Sequence, residues 1–298
     1  LISFLVDAQQ SILVTGPRGS GKTSLLGSLM LELPQNYRII TIEDTPEIPV
    51  EKLRDIGYNI QHIKIKSTLQ REAYEISADE ALRSALRLGE SVLIIGEVRG
   101  QEARALFEAM RIGAAGNIVM GTIHGSSPYD VWDRIVNDLE VPSTSFKATD
   151  IVISCAPIRL GEGLVRTRRI MGITEVLKYW REDPQAENGF LNLMEYDRKK
   201  DRLVLGKDFK KSPILKEIAK KKGMSMQEVV QNVKARARIK EMIVKASEKS
   251  PEVLSIKFNK KAVNKFYELI TSSKKIDYSK ILNDFKKWMN DETKQLKA

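Results

Sequence analysis

The sequence predicts an α/β fold: a mostly parallel sheet with helices on both faces, an antiparallel β extension, and a basic all-helical C-terminal module. Three observations carry this. Over the first half of the 298 residues, short β-branched runs alternate with helix-periodic stretches, the pattern of a parallel sheet with crossover helices. From about residue 151, strand-like runs follow one another without helices between them, as in antiparallel sheets. The charge is also divided. Residues 1–200 carry 24 basic and 27 acidic side chains, whereas residues 201–298 carry 25 and 12, a net +13.

Taken in order, the predicted strands are 11–15, 38–43, 59–65, 91–96 and 117–122. Helices 24–33, 78–88 and 101–112 lie between them, stopped by Pro34, Gly89 and Gly113. Ala103, Leu106, Phe107 and Met110 recur at helical spacing and read as a buried stripe. Runs 151–156, 169–178, 191–196 and 201–205 read as antiparallel strands added at the sheet edge, the last two joined by the turn Asp197-Arg198-Lys199-Lys200. Beyond Lys207 the pattern turns helical. Ser225 and Glu228 have capping-box spacing after Gly223. Met226, Val230, Val233 and Ala237 form one apolar stripe, and Ile281, Leu282, Phe285, Trp288 and Met289 another. The expected domains are 1–158, 159–206 and 207–298.

Composition removes several classes. At 42% hydrophobic and 30% charged residues, the chain can build a packed core. The single Cys155 rules out a disulfide framework and paired CxxC zinc sites, and indicates a reducing interior. Only His62 and His124 could join it in a metal centre, too few for a His/Cys site. No apolar run approaches the roughly 18–20 residues of a spanning helix. The opening residues 1–6 are too short, and lack the basic flank, for a signal peptide. The chain also starts with Leu1, so it reads as a piece of a longer protein.

The residues Gly16-Pro17-Arg18-Gly19-Ser20-Gly21-Lys22-Thr23 match GxxxxGK[ST] between a predicted strand and a predicted helix. Glycines let backbone N–H groups curl around phosphate oxygens, and the helix N-terminus adds its dipole. Lys22 would reach the β- and γ-phosphates of ATP, and the Thr23 hydroxyl would hold Mg2+. Ser24, in the first turn of that helix, completes the nucleotide-binding set expected of the loop. Ligands of such sheets sit outside the carboxyl ends of the strands. Three more predicted strands end there in polar residues: Glu43-Asp44, Glu97 and His124. Carboxylates at that place can hold Mg2+ or act on the attacking water. Each also has a plainer reading: Glu97 as a satisfied strand-end carboxylate, Glu43 and Asp44 as caps of the turn leading to Pro46 and Pro49, His124 as a structural residue after its strand, His62 as a structural strand residue.

With these motifs in order, the chain resembles the secretion ATPase superfamily, the hexameric motors of type II and type IV secretion, type IV pili and the archaellum. The resemblance rests on a Walker A loop at 16–23, an Asp box Thr41-Ile42-Glu43-Asp44-Thr45-Pro46-Glu47-Ile48, a Walker B Leu93-Ile94-Ile95-Gly96-Glu97-Val98-Arg99-Gly100 and a His box Gly121-Thr122-Ile123-His124-Gly125-Ser126. It covers roughly residues 1–180, and the Gly-Glu-Val-Arg-Gly form is most similar to the archaeal and tight-adherence branch. It implies a RecA-like P-loop core that hydrolyses ATP with Mg2+. Carried over by position, Glu97 would hold Mg2+ and the water near the γ-phosphate, and Glu43 would be the general base. His124 would contact the γ-phosphate, and Arg99 would bridge the Walker B loop to its neighbours.

The resemblance also implies partners. Only 15 residues precede Gly16, so the N-terminal domain that brings arginines to the nucleotide in this family is expected to be missing here, leaving turnover slow. A hexamer is implied for the full-length protein, while a truncated core can stay monomeric. An inner-membrane platform protein is the implied partner, at the cytoplasmic face of the cell membrane. The basic module carries no readable signature. Acidic platform loops, an anionic membrane surface or nucleic acid would each answer its charge, and its sparse aromatics count against single-strand binding. The rival reading is a nucleic-acid translocase or conjugation-type motor. A GTPase switch lacks its base-reading NKxD, since Asn259-Lys260-Lys261-Ala262 has no Asp.

Overall fold

The structure, a computed structural model, describes residues 1–65, 77–87, 92–100, 102–112, 118–159, 166–273 and 276–296. Its strands are β1 (Ile12–Thr15), β2 (Arg38–Glu43), β3 (Asn59–Lys64), β4 (Val92–Val98), β5 (Val119–Ile123), β6 (Ile151–Arg159), β7 (Arg166–Val176), β8 (Phe190–Asp197) and β9 (Arg202–Leu205). The helices are α1 (Ile2–Asp7), α2 (Lys22–Met30), α3 (Val50–Arg54), α4 (Ala78–Arg87), α5 (Glu102–Ile112), α6 (Pro128–Asp133), α7 (Pro213–Lys221), α8 (Met226–Ser247), α9 (Ile256–Thr271) and α10 (Tyr278–Gln295). Gly89 and Gly113, the expected helix stops, lie outside the described residues.

The nine strands of the described residues join one sheet in the order β3-β2-β4-β5-β1-β6-β7-β8-β9. The first six are parallel, and β7, β8 and β9 continue antiparallel. This corrects one expectation: β6 is not part of the antiparallel addition alone. It runs parallel to β1, with Ile12 opposite Ile151, and turns its other edge to β7. Its first five residues are all buried, the pattern of an interior parallel strand covered on both faces. Because β1, β2, β4 and β5 are parallel, their carboxyl ends meet at one edge of the sheet. The apolar stripe of α5 packs as expected, with Ala103, Leu106, Phe107 and Met110 all buried in the core. Trp132 and Trp180 meet edge-on within the same core at 6.4 Å.

The chain forms two compact units. One holds the sheet, residues 9–28 and 35–216. The other holds residues 1–8, 29–34 and 217–298, so α1 and the segment from the last residues of α2 to Pro34 belong with the C-terminal helices. In this helical unit Ile239, Ile243, Phe258, Phe266, Ile281, Phe285 and Met289 build an apolar core. The capping box at the start of α8 is present: the Glu228 amide donates to Ser225 Oγ, and the Ser225 amide donates back to Glu228 Oε2. The α8 stripe is rotated from its expected place. Val229, Asn232, Val233, Arg236, Ile239 and Ile243 are buried, while Ala237 is exposed.

Two buried cations hold this unit together. Arg236, 4% exposed, donates to Ser3 Oγ (2.7 Å), the Ser3 carbonyl (3.2 Å), Asp7 Oδ2 (2.9 Å) and Asn232 Oδ1 (2.8 Å). Lys260, equally buried, donates through Nζ to the Leu33 carbonyl at 2.7 Å. Burial lowers the Lys260 pKa from 10.5 to about 8, with Glu32 pulling the other way. The unfolded chain keeps this proton to higher pH than the folded one. Within that window unfolding takes up a proton, so stability rises with pH. Between pH 8 and 10 the wild type should therefore gain roughly 2 kcal/mol relative to Lys260→Met. Paired urea unfolding curves check this, and a difference independent of pH would mean that Lys260 does not titrate there.

Candidate active site

β1 is buried throughout and delivers the chain to Gly16 at the sheet edge. The loop that follows needs its glycines for two different reasons. Gly19 and Gly21 have φ of +78° and +90°, where side chains are strained. At Gly16 the reason is space: a Cβ would lie 2.4 Å from both the Cys155 carbonyl oxygen and Ser20 Oγ. The loop closes on the Lys22 ammonium, which donates to the carbonyls of Gly16 (2.9 Å) and Pro17 (3.3 Å). Burial lowers the Lys22 pKa, against the opposing pull of Glu97. Ser20 Oγ is buried with no hydrogen-bond partner among the described residues. Such a cradle, with an orphaned hydroxyl and a desolvated ammonium, fits a polyphosphate.

The neighbouring strand ends supply the other groups. Glu97 is near the end of β4, where the register against β5 shifts between Ile95 and Val98. Its Oε2 accepts from Arg99 Nε at 2.8 Å and also from Arg99 Nη2, while Oε1 lies 2.8 Å from His124 Nε2. Arg99 reaches on to Asp44 Oδ2 at 3.3 Å, joining the end of β4 to the turn after β2. His124 directly follows β5. Burial, then the nearby Lys22 charge, lowers its pKa and so favours the neutral imidazole. Asp44 Oδ1 accepts from the Thr45 amide at 2.6 Å, the turn cap expected of it. His62, inside β3, bonds Thr41 Oγ1 through Nδ1 at 2.9 Å.

Glu43 ends β2 and is 2% exposed. Its Oε1 accepts from the amides of Glu47 (3.0 Å) and Ile48 (3.1 Å), and Oε2 is buried without a hydrogen bond. Burial raises its pKa, and the two backbone bonds oppose that rise. Its side chain fills the space beside Gly96, where a Cβ would stand 2.8 Å from Glu43 Cγ.

A cleft of about 600 Å³ opens above these groups, lined by Arg18, Gly19, Gly21, Lys22, Thr23, Ser24, Glu47, Glu97, Arg99, Thr122, His124 and Arg168. That volume is in the range of small-ligand sites. The sequence model of the family described as "Type II/IV secretion system protein" matches residues 1–276. The chain belongs to this family. It is similar to the uncharacterized protein MJ1287 of Methanocaldococcus jannaschii, with 31% identity over 78% of this chain and 82% of that one. The type IV secretion system protein PtlH of Bordetella pertussis is 37% identical over 42% of this chain and 35% of its own length. The type IV pilus retractation ATPase PilT of Pseudomonas aeruginosa is 32% identical over 59% and 51%. The chain thus spans about a third of PtlH and half of PilT. Its sheet carries the Walker A loop between β1 and α2, the strand–loop–helix setting of a phosphate-binding loop.

As a member of the type II/IV secretion system family, the chain brings Lys22, Thr23, Ser24, Arg18, Glu97, Arg99 and His124 to one cleft, and keeps Glu43 beneath its surface. Three lining side chains had been given no role from sequence. Glu47 and Thr122 sit within recognised motifs, and Thr23 Oγ1 donates to Glu47 Oε2 at 2.6 Å. Arg168 comes from β7 and has no motif; only the register of the β6–β7 pair brings it here.

Proposed function

We propose that this chain is the ATP-hydrolysing motor domain of a type IV pilus-like filament or a type II/IV secretion system. The observation that carries the reading is that groups from four separate motifs, Lys22 and Thr23, Glu47, Glu97 and His124, line one cleft. ATP would lie with its phosphates in the Walker A loop. Thr23 and Glu97 offer the hard oxygens that Mg2+ prefers, and Mg2+ held there would neutralise charge on the β- and γ-phosphates. Lys22, desolvated inside the loop, supplies a fixed positive charge to the same oxygens. Arg99 grips Glu97 Oε2 and fixes that carboxylate's direction, while Oε1, buried without a hydrogen bond, lies 2.8 Å from His124 Nε2. Glu43 Oε2, buried and without a hydrogen bond, has the raised proton affinity suited to a general base.

The active assembly in this reading is a homo-hexamer on the cytoplasmic face of the cell membrane, working on an inner-membrane platform protein. Among the described residues no helix is long and apolar enough to cross a membrane. The +13 of residues 201–298 suits acidic platform loops or an anionic membrane surface. ATP turnover in the presence of Mg2+, with and without double-stranded DNA, tests the reading. Turnover indifferent to DNA supports the filament or secretion motor. Turnover that climbs with DNA overturns it in favour of a nucleic-acid translocase.

A further inference from the structure

β6 outruns β1. Thr15, the last residue of β1, is opposite Ser154, and residues 155–159 of β6 continue alongside the phosphate-binding loop with β7 paired to them. In that stretch Pro157 is opposite Arg168 and Arg159 is opposite Arg166. Directly opposed residues share a face of the sheet, and so do residues two apart along a strand. Arg159, Arg166 and Arg168 therefore stand on one face. It is the face toward the loop, because a Cβ on Gly21 would meet Arg168 Cδ at 3.2 Å.

Arginines opposed across a strand pair repel one another, a cost that a nearby anion removes. On the other face Arg169 already has one: its Nε and Nη2 donate to the two Asp201 oxygens at 2.7 and 2.8 Å. Among the described residues no acidic side chain pairs with Arg159, Arg166 or Arg168. Within the cleft, the Lys22 ammonium is turned onto loop carbonyls and Arg99 is engaged by Glu97 and Asp44. Arg168 lines the same cleft with its guanidinium unengaged.

We propose that Arg168 is a ligand of the nucleotide's polyphosphate, supplied by the core's own β6–β7 hairpin, with Arg166 and Arg159 adding positive potential behind it. The proposal rests on the nucleotide reading of the cleft and adds a contact outside the Walker A loop. A guanidinium presents a fork of donors that matches phosphate oxygens, and each such charge-assisted bond is stronger than a neutral one. Its placement on a strand paired along β6 means that little backbone order has to be imposed when the ligand arrives.

Fluorescence titration of the full chain with mant-ADP tests this, using Arg168→Gln, Arg168→Lys, Arg166→Gln and Lys22→Ala. Arg168 is exposed, so its variants should keep the fold, which thermal unfolding by circular dichroism checks. Arg168→Gln should weaken mant-ADP binding about 10- to 100-fold. Arg168→Lys should fall between it and the wild type, and Arg166→Gln should lose less than about 3-fold. Arg168→Gln binding like the wild type, while Lys22→Ala has lost mant-ADP, overturns the proposal and leaves the nucleotide site standing. Wild type that fails to bind mant-ADP overturns the site reading, and the proposal with it.

Discussion

Glu97→Gln is expected to bind ATP within a few-fold of the wild type and to turn it over about 10²–10⁴ times more slowly. The substitution keeps the shape of the side chain, and the amide oxygen can take the Oε1 position, 2.8 Å from His124 Nε2. What it removes is a full negative charge between Arg99 and the phosphate loop. The new amide N–H₂ faces the Arg99 guanidinium, donor against donor, where Oε2 had accepted from Nε at 2.8 Å. Binding should survive because the loop proposed to hold the phosphates, residues 16–24, makes no hydrogen bond to Glu97. Equilibrium binding of a fluorescent nucleotide, measured beside single-turnover hydrolysis, separates the two quantities. Loss of binding together with turnover would assign Glu97 to the architecture of the cleft instead.

Arg236→Met should cost the helical unit about 2–4 kcal/mol, read as a lower urea midpoint. The methionine fills much of the volume but leaves Ser3, Asp7 and Asn232 facing a thioether. Lys222 keeps its contact with Asp7 Oδ2 at 2.7 Å, so that carboxylate is not stranded; the Asn232 oxygen and the Ser3 groups lose the Arg236 bonds that they accept. The guanidinium also lies over the rings of Phe266 and Tyr267, with its carbon 4.9 and 5.4 Å from their centroids. Arg236→Lys should rescue only part of the loss, because a single ammonium cannot reproduce the planar fork. A change below 1 kcal/mol would mean that the network contributes little to stability.

The parts of this architecture that were legible are those where local chemistry is strict. The Walker A loop, the polar ends of β2, β4 and β5, and the stripe of α5 follow from spacing alone. What stayed hidden depends on register or on polar burial. Arg168 reaches the cleft because it is opposite Pro157 across a strand pair, information that no single segment carries. The face of α8 was misread because two of its buried positions hold Asn232 and Arg236. Apolar periodicity alone slides around the helix and selects Ala237. β6 looked like an edge strand because its sequence neighbours are antiparallel, although Ile151, Val152 and Ile153 form the continuous apolar run of a central parallel strand.

The missing side chain at Gly96 reaches beyond the cleft itself. Glu43 occupies the volume that any Cβ at that position would need, so the two residues are one steric unit divided between β2 and β4. Random drift at either position is then filtered by the other. A descendant of this chain could acquire a carboxylate at 96 only after, or together with, a shorter residue at 43. Across the lineage these two positions should covary, and a tree that showed them changing independently would reveal that the strands can shift apart.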